Sequence, residues 1–175
     1  MDEIIAPWAE FASLPMYEDN KITWYTRGNA NFLELKLEEL ESDIGVDFKR
    51  VKKKRKAEIR YKKIKEFDNP LQLGNAYWHP NDPVWRLKVK RGKENRSTQL
   101  HEFGHALGLG HPEDHYANTD TIMSYARDRT IHDFFKRDKE AIKQIYTDSN
   151  LEYSDVKIGP VNIDMLTGIR CVEYI

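Results

Sequence analysis

Residues 101–111 read HEFGHALGLGH, and this stretch decides how the rest of the chain is read. Three of the six histidines fall within it. His101 and His105 are four residues apart. On an α-helix that spacing rotates the side chain by only about 40°, so both imidazoles share one face and can share a metal ion. Glu102 is the next residue after the first ligand, turned aside from it, where its carboxylate reaches a metal-held water instead of the metal. His111 would lie on the wrong face of a continuing helix. Gly108 removes that difficulty, because glycine can take a positive φ, end the helix and let His111 swing back. Three neutral imidazoles leave one coordination position open, as in catalytic and unlike structural zinc sites. The stretch therefore calls for one catalytic Zn2+ on His101, His105 and His111, with Glu102 as general base.

The bulk properties are compatible with an enzyme domain and point to no other class. The chain has 175 residues, 33% charged and 39% apolar, with a net charge of −1. That suits one domain with a real core, and gives no global pull toward nucleic acid or membrane. Cys171 is the single cysteine, so no internal disulfide can form. The start, MDEIIAPWAEFASLPMYEDN, is acidic and lacks the basic and apolar regions of a signal peptide. No apolar run approaches the roughly 18 residues a membrane span needs. The expectation is an intracellular or particle-associated protein and no standard export.

Working outward from the motif, ENRSTQLHEFGHALGL reads as a helix and VWRLKVKRG (84–92) before it as a strand. KITWYTR (21–27) is β-rich. In NANFLELKLEELESDIG, Ala30, Leu33, Leu37, Leu40 and Ile44 recur at steps of three and four, so a helix is expected, capped by Asn29 or Asn31 and ended by Gly45. VDFKRVKK (46–53) and AEIRYKKIK (57–65) alternate as half-buried strands do, and a further short strand lies near Leu71–Trp78. RDKEAIKQIYTD is a third helix, with Ala141, Ile142, Ile145 and Tyr146 on its buried face. The tail holds the strand-like pieces DVKIG and GIRCVEY. The order β-α-β-β-β-β-α-α gives an α/β (α+β) domain. The chain divides into an N-terminal arm (1–20), a domain that holds the histidine motif (21–147) and a C-terminal extension (148–175).

The pattern H101-E-x-x-H105-x-x-G108-x-x-H111 resembles the extended HExxHxxGxxH zinc motif of the metzincin metalloendopeptidases. TIMSY (121–125) is similar to the family's Met-turn, with Met123 as the methionine beneath the metal. The pairing of GLGHP with MSY most resembles the serralysin branch; the short chain and the sheet ahead of the motif are similar to the matrixins. The resemblance implies a twisted mixed sheet of about five strands with about three helices. It implies zinc-dependent hydrolysis of protein or peptide substrates, and, from serralysins and astacins, a role for Tyr125 in stabilising the oxyanion. It also implies an edge strand that pairs with extended substrate, for which Gly74, Asn75, Ala76 and Tyr77 are the matching residues.

The chain departs from both branches. Asn75 stands where matrixins place a structural-zinc histidine, and His79 has no partners at ligand spacing, so neither a structural zinc nor calcium is expected. Calcium-binding nonapeptide repeats are absent, and so is any cysteine before residue 171 that could serve a matrixin-type latency switch. Asp2, Glu3, Glu18 or Asp19 in the arm could instead reach the zinc, although a loose terminus is the simpler reading. Cys171 is read as a small buried hydrophobe and His115 as a loop residue. KRVKKKRKAEIRYKKIK (49–65) reads as a basic hairpin. It is a solvated surface or a docking face for an assembly partner, as the tail 148–175 could also be; with Tyr61 its only aromatic, stacking on nucleic acid is disfavoured. The competing function is thus a metzincin-fold binding or assembly module whose zinc site is structural or latent.

Overall fold

The computed structural model describes residues 21–79, 81–112, 116–147 and 169–174. The N-terminal arm with Asp2, Glu3, Glu18 and Asp19, the piece DVKIG, and His115 lie outside the described residues. The elements follow the order β1 (Lys21–Thr26), α1 (Asn31–Ile44), β2 (Asp47–Arg50), β3 (Ile59–Ile64), β4 (Gln72–His79), β5 (Asp82–Lys90), α2 (Arg96–Ala106), α3 (Lys136–Thr147) and β6 (Ile169–Tyr174). The strands form one mixed sheet in the order β2-β1-β3-β5-β4-β6. Five of these strands come from the body of the chain, as expected; the sixth comes from GIRCVEY in the tail.

Alternation along the strands selects one sheet face for the core. Ile22 and Trp24 of β1, Ile59 and Tyr61 of β3, and Trp85, Leu87 and Val89 of β5 are buried, while their neighbours are not. That face carries the helices. The apolar stripe Leu33, Leu37, Leu40 and Ile44 buries α1, and Gly45 closes it with a φ of 74°. The expected asparagine cap is corrected: Ala30 holds the N-cap position without a side-chain cap bond, and Asn29, one residue earlier, accepts from the Asn31 N–H at 3.0 Å. Phe103 of α2 meets Trp24 and Tyr61 edge-on, with centroids 6.1 and 6.2 Å apart. Burying one such ring contributes about 1.5–3 kcal/mol, which presses α2 onto the middle of the sheet.

The expected basic hairpin is not a hairpin. β2 and β3 do not pair with each other; both run parallel to β1, one on each side of it. The connection, VKKKRKAE, has none of the Gly, Asn, Asp or Pro that a tight reversal uses. It instead crosses β1. Val51 N–H donates to Trp24 O at 2.8 Å, Glu58 N–H to Thr23 O at 3.0 Å, and Ala57 is buried. β1, whose core-facing Ile22 and Trp24 are buried, thus gains a partner on both edges. The cations of β3 fall in register with those of β5, Arg60 opposite Arg86 and Lys62 opposite Lys88, on the face away from the helices.

Candidate metal centre

The site forms where α2 ends. Gly108 has φ 101°, a conformation that an L side chain resists. Gly108 N–H donates to His105 O at 3.1 Å and Leu109 N–H to Gly104 O at 2.9 Å. These two bonds make a Schellman motif, which satisfies the last carbonyls of α2 and turns the chain back on itself. The turn brings Leu109 O to His105 Nδ1, 2.9 Å away. A carbonyl only accepts, so His105 carries its proton on Nδ1 and presents the lone pair of Nε2 to the site. His101 is fixed in the same way, Nδ1 donating to Ile122 O at 2.9 Å. Such outer bonds orient an imidazole for a metal and raise its basicity.

The structure brings His101, His105 and His111 together, one ligand nitrogen from each lying within 4.8 Å of the others. The Nε2 atoms of His101 and His111 are 3.1 Å apart. Two nitrogens bound to one zinc at about 2.0–2.1 Å, at a tetrahedral angle, lie about 3.3 Å apart, so the donor set fits that ion. This is the only such cluster among the described residues. His79 does not join it; its Nδ1 accepts from the Asn81 N–H at 3.1 Å.

Burial keeps His101 and His105 neutral. It lowers His101 well below the usual imidazole range, and the charges of Arg127, His105 and His111 lower it further, against the bond to Ile122. Burial brings His105 down to about 4, with Arg127 adding to the effect and the Leu109 contact opposing it. An imidazole that stays unprotonated at neutral pH is a competent ligand.

Glu102 is fully buried on α2, beside strand β4. A Cβ placed on Gly74 would collide with Glu102 Oε1 and come within 2.8 Å of Thr98 Cγ2. Only glycine lets β4 pass this close to the carboxylate. The register places Asn75 opposite Lys88 and Tyr77 opposite Arg86, so these two point away from α2 while Gly74 and Ala76 face it. The expectation that β4 is an edge strand is corrected: β6 pairs with it antiparallel from Gln72 to Trp78.

The turn bearing Met123 packs against α2. Met123 is buried, and a Cβ on Gly104 would meet its Sδ at 2.5 Å. Tyr125 flanks the histidines, its ring 4.8 Å from His111 and 5.9 Å from His101 between centroids. α3 holds this turn in place. Asp138 accepts from Thr121 Oγ1 and, at 2.9 Å, from the N–H groups of Ile122 and Phe135. Ile122 thus links Asp138 to His101. Tyr146 OH donates to Leu107 O at 3.3 Å, which ties α3 to the exit of α2 as well. Buried Arg127 donates to Ser97 Oγ at 2.8 Å and Ser124 O at 2.6 Å, clamping the start of α2 to the same turn.

Gly104, Asp138 and Arg127 are the residues that reading the sequence missed. A glycine inside a helical pattern is a signal of close packing and could have marked Gly104. Asp138 and Arg127 each have one partner three residues away, Phe135 and Ser124, but the partners that tie them to the site lie 16–17 and 30 residues away.

A mixed sheet with its helices on one face and a three-histidine metal centre at a helix end define a metallopeptidase-type domain. The family model described as Matrixin, a peptidase family, matches residues 19–147, and the chain belongs to that family. Matrixins are zinc-binding metalloendopeptidases that act on protein or peptide substrates. No curated protein matches the chain. Among the described residues no helix is long and apolar enough to cross a membrane.

Proposed function

We propose that the chain is a zinc-dependent endopeptidase in which Glu102 acts as general base and acid. The observation that carries this reading is three imidazole donors within 4.8 Å of one another, two of them held by backbone carbonyls. A zinc ion held by His101, His105 and His111 would supply Lewis-acid chemistry, making water nucleophilic at neutral pH and polarising the scissile carbonyl. Glu102 takes the proton of the attacking water and delivers it to the leaving amine. Tyr125, beside the histidines, donates its phenolic O–H to the oxygen on which negative charge develops. Met123 supports the histidines from below without touching substrate. Backbone groups of Gly74, Asn75, Ala76 and Tyr77 hold the substrate extended.

The test is cleavage of a mixed peptide library by the zinc-loaded chain, with Glu102→Ala as control. Wild type is expected to cut and the variant to hold one zinc without cutting. Equal cleavage by both would remove Glu102 from the chemistry.

A second reading, a binding or assembly module whose zinc site is latent or structural, is favoured by one observation. β6 covers the edge of β4 that substrate would need.

A further inference from the structure

The edge of β4 that β5 leaves open is occupied by the chain itself. β6 runs antiparallel to β4, with Gly74 opposite Glu173, Asn75 opposite Val172, Ala76 opposite Cys171, Tyr77 opposite Arg170 and Trp78 opposite Ile169. Between Gly74 and Gln72 the register shifts by one residue. Leu73 is therefore the extra residue of a bulge immediately before the glycine that lies against Glu102. β6 ends the sheet, and its extensive contacts are with β4 alone among the described elements.

We propose that β6 is an internal occupant of the peptide-binding edge of β4, and that it holds cleavage to a low basal rate until this strand is displaced. The inference rests on the reading of β4 as the strand that binds substrate. A strand edge offers one row of N–H and C=O groups, and an extended peptide added in the antiparallel sense would use the same row. β6 and substrate therefore exclude each other from Gly74 to Tyr77. An occupant in the same chain competes at an effective concentration that can reach the millimolar range, so micromolar peptide does not dislodge it. Release is nevertheless local. A strand held along one edge opens at a lower free energy than the domain unfolds. A partner that captures residues 169–174, or a cut that removes them, would expose the edge and leave α2 and the histidines in place.

The test uses the full, zinc-loaded chain carrying Cys171→Pro and Val172→Pro together. Successive N–H groups of a strand point to opposite sides, so one of the two prolines removes a donor facing β4. Three readouts are taken: cleavage of the peptide mixture, hydrogen exchange at Gly74–Trp78, and anisotropy of a labelled peptide matching residues 169–174 with Cys171→Ser. The anisotropy is measured in a Glu102→Gln background. The expected result is faster exchange on β4, cleavage at least tenfold above the unaltered chain, and capture of the labelled peptide by the proline variant only. Cleavage at the unaltered rate despite faster exchange on β4 overturns the inference and leaves the protease reading standing. Capture of the peptide with no cleavage does the reverse: the edge is a peptide site kept by β6, and the endopeptidase reading fails. If the prolines abolish zinc binding or cooperative melting, residues 169–174 are replaced by alternating Gly and Ser. Loss of the fold in that variant too makes β6 a structural strand and overturns the inference.

Discussion

At the scale of single residues, two glycines do what no other side chain could. Gly74 passes Glu102 and Gly104 passes Met123, and in each case a Cβ would meet a buried side chain. Alanine in place of a mid-helix glycine ordinarily stabilises by about 0.5–1 kcal/mol. Gly104→Ala should do the opposite, because Met123 has no exposed side to retreat to. We expect a lower melting temperature and zinc affinity weaker by about tenfold, the lower end of what disturbing a ligand's supporting contacts costs. Chelator competition and a thermal melt measure both, and an unchanged or raised melting point would refute the close contact. Gly104 was half legible in the sequence, since a glycine inside a strong helical pattern asks for a reason. Gly74 was singled out as a substrate contact, whereas its tight fit against Glu102 became visible only in three dimensions.

At the scale of elements, the exit of α2 is the decisive device. The Schellman bonds place Leu109 O on His105 and aim the chain toward His111. A non-glycine residue at φ 101° costs about 1–2 kcal/mol. Gly108→Ala should therefore lower stability by about that amount and weaken zinc binding at the same time. A variant with wild-type zinc affinity would show that the turn does not set the third ligand. Most of this element was readable: the spacing called for a helix and a glycine turn, because local backbone chemistry decides both. The pairing of β2 and β3 was not readable. Two alternating basic strands joined by eight residues look like a hairpin in sequence, and only the need of β1 for two partners separates them.

At the scale of the whole molecule, metal and protons set stability. A ligand that binds only the folded chain stabilises it by about 2.7 kcal/mol at one hundred times its Kd. For a domain of this size zinc should therefore raise the melting temperature by roughly 5–10 °C, and a chelator should reverse it. In the metal-free chain the pH dependence has opposed parts. Burial lowers His105 to about 4, and His101 moves the same way. The unfolded chain then binds protons that the folded chain does not, and the stability present above about 6.5 is lost as pH falls toward 4. Burial raises Asp138 to about 6, against its bonds to Thr121, Ile122 and Phe135. Its contribution is present below the ordinary carboxylate range and is lost as pH rises through 6. Two histidines against one aspartate leave a net rise in stability from pH 4 to 6.5. Asp138→Asn should steepen that rise by removing the opposing group. Urea midpoints across this window measure it, and a flat or falling profile in the metal-free protein would contradict it.

The sequence by itself determined the histidine cluster, the neighbouring glutamate, the glycine that ends the helix and the order of the elements. These depend on 3.6-residue and two-residue periodicity and on the φ freedom of glycine, all of which act within a few positions. Only the tertiary structure decided which strands flank β1, that Asp138 and Arg127 brace the histidines, and that β6 closes the edge of β4. Asp138 reaches the turn that carries Met123 across 16–17 residues, and β6 reaches β4 across about a hundred. Pairing at such distances is chosen by competition among burial, backbone hydrogen bonding and chain closure over the whole domain, and no short window of sequence records its outcome.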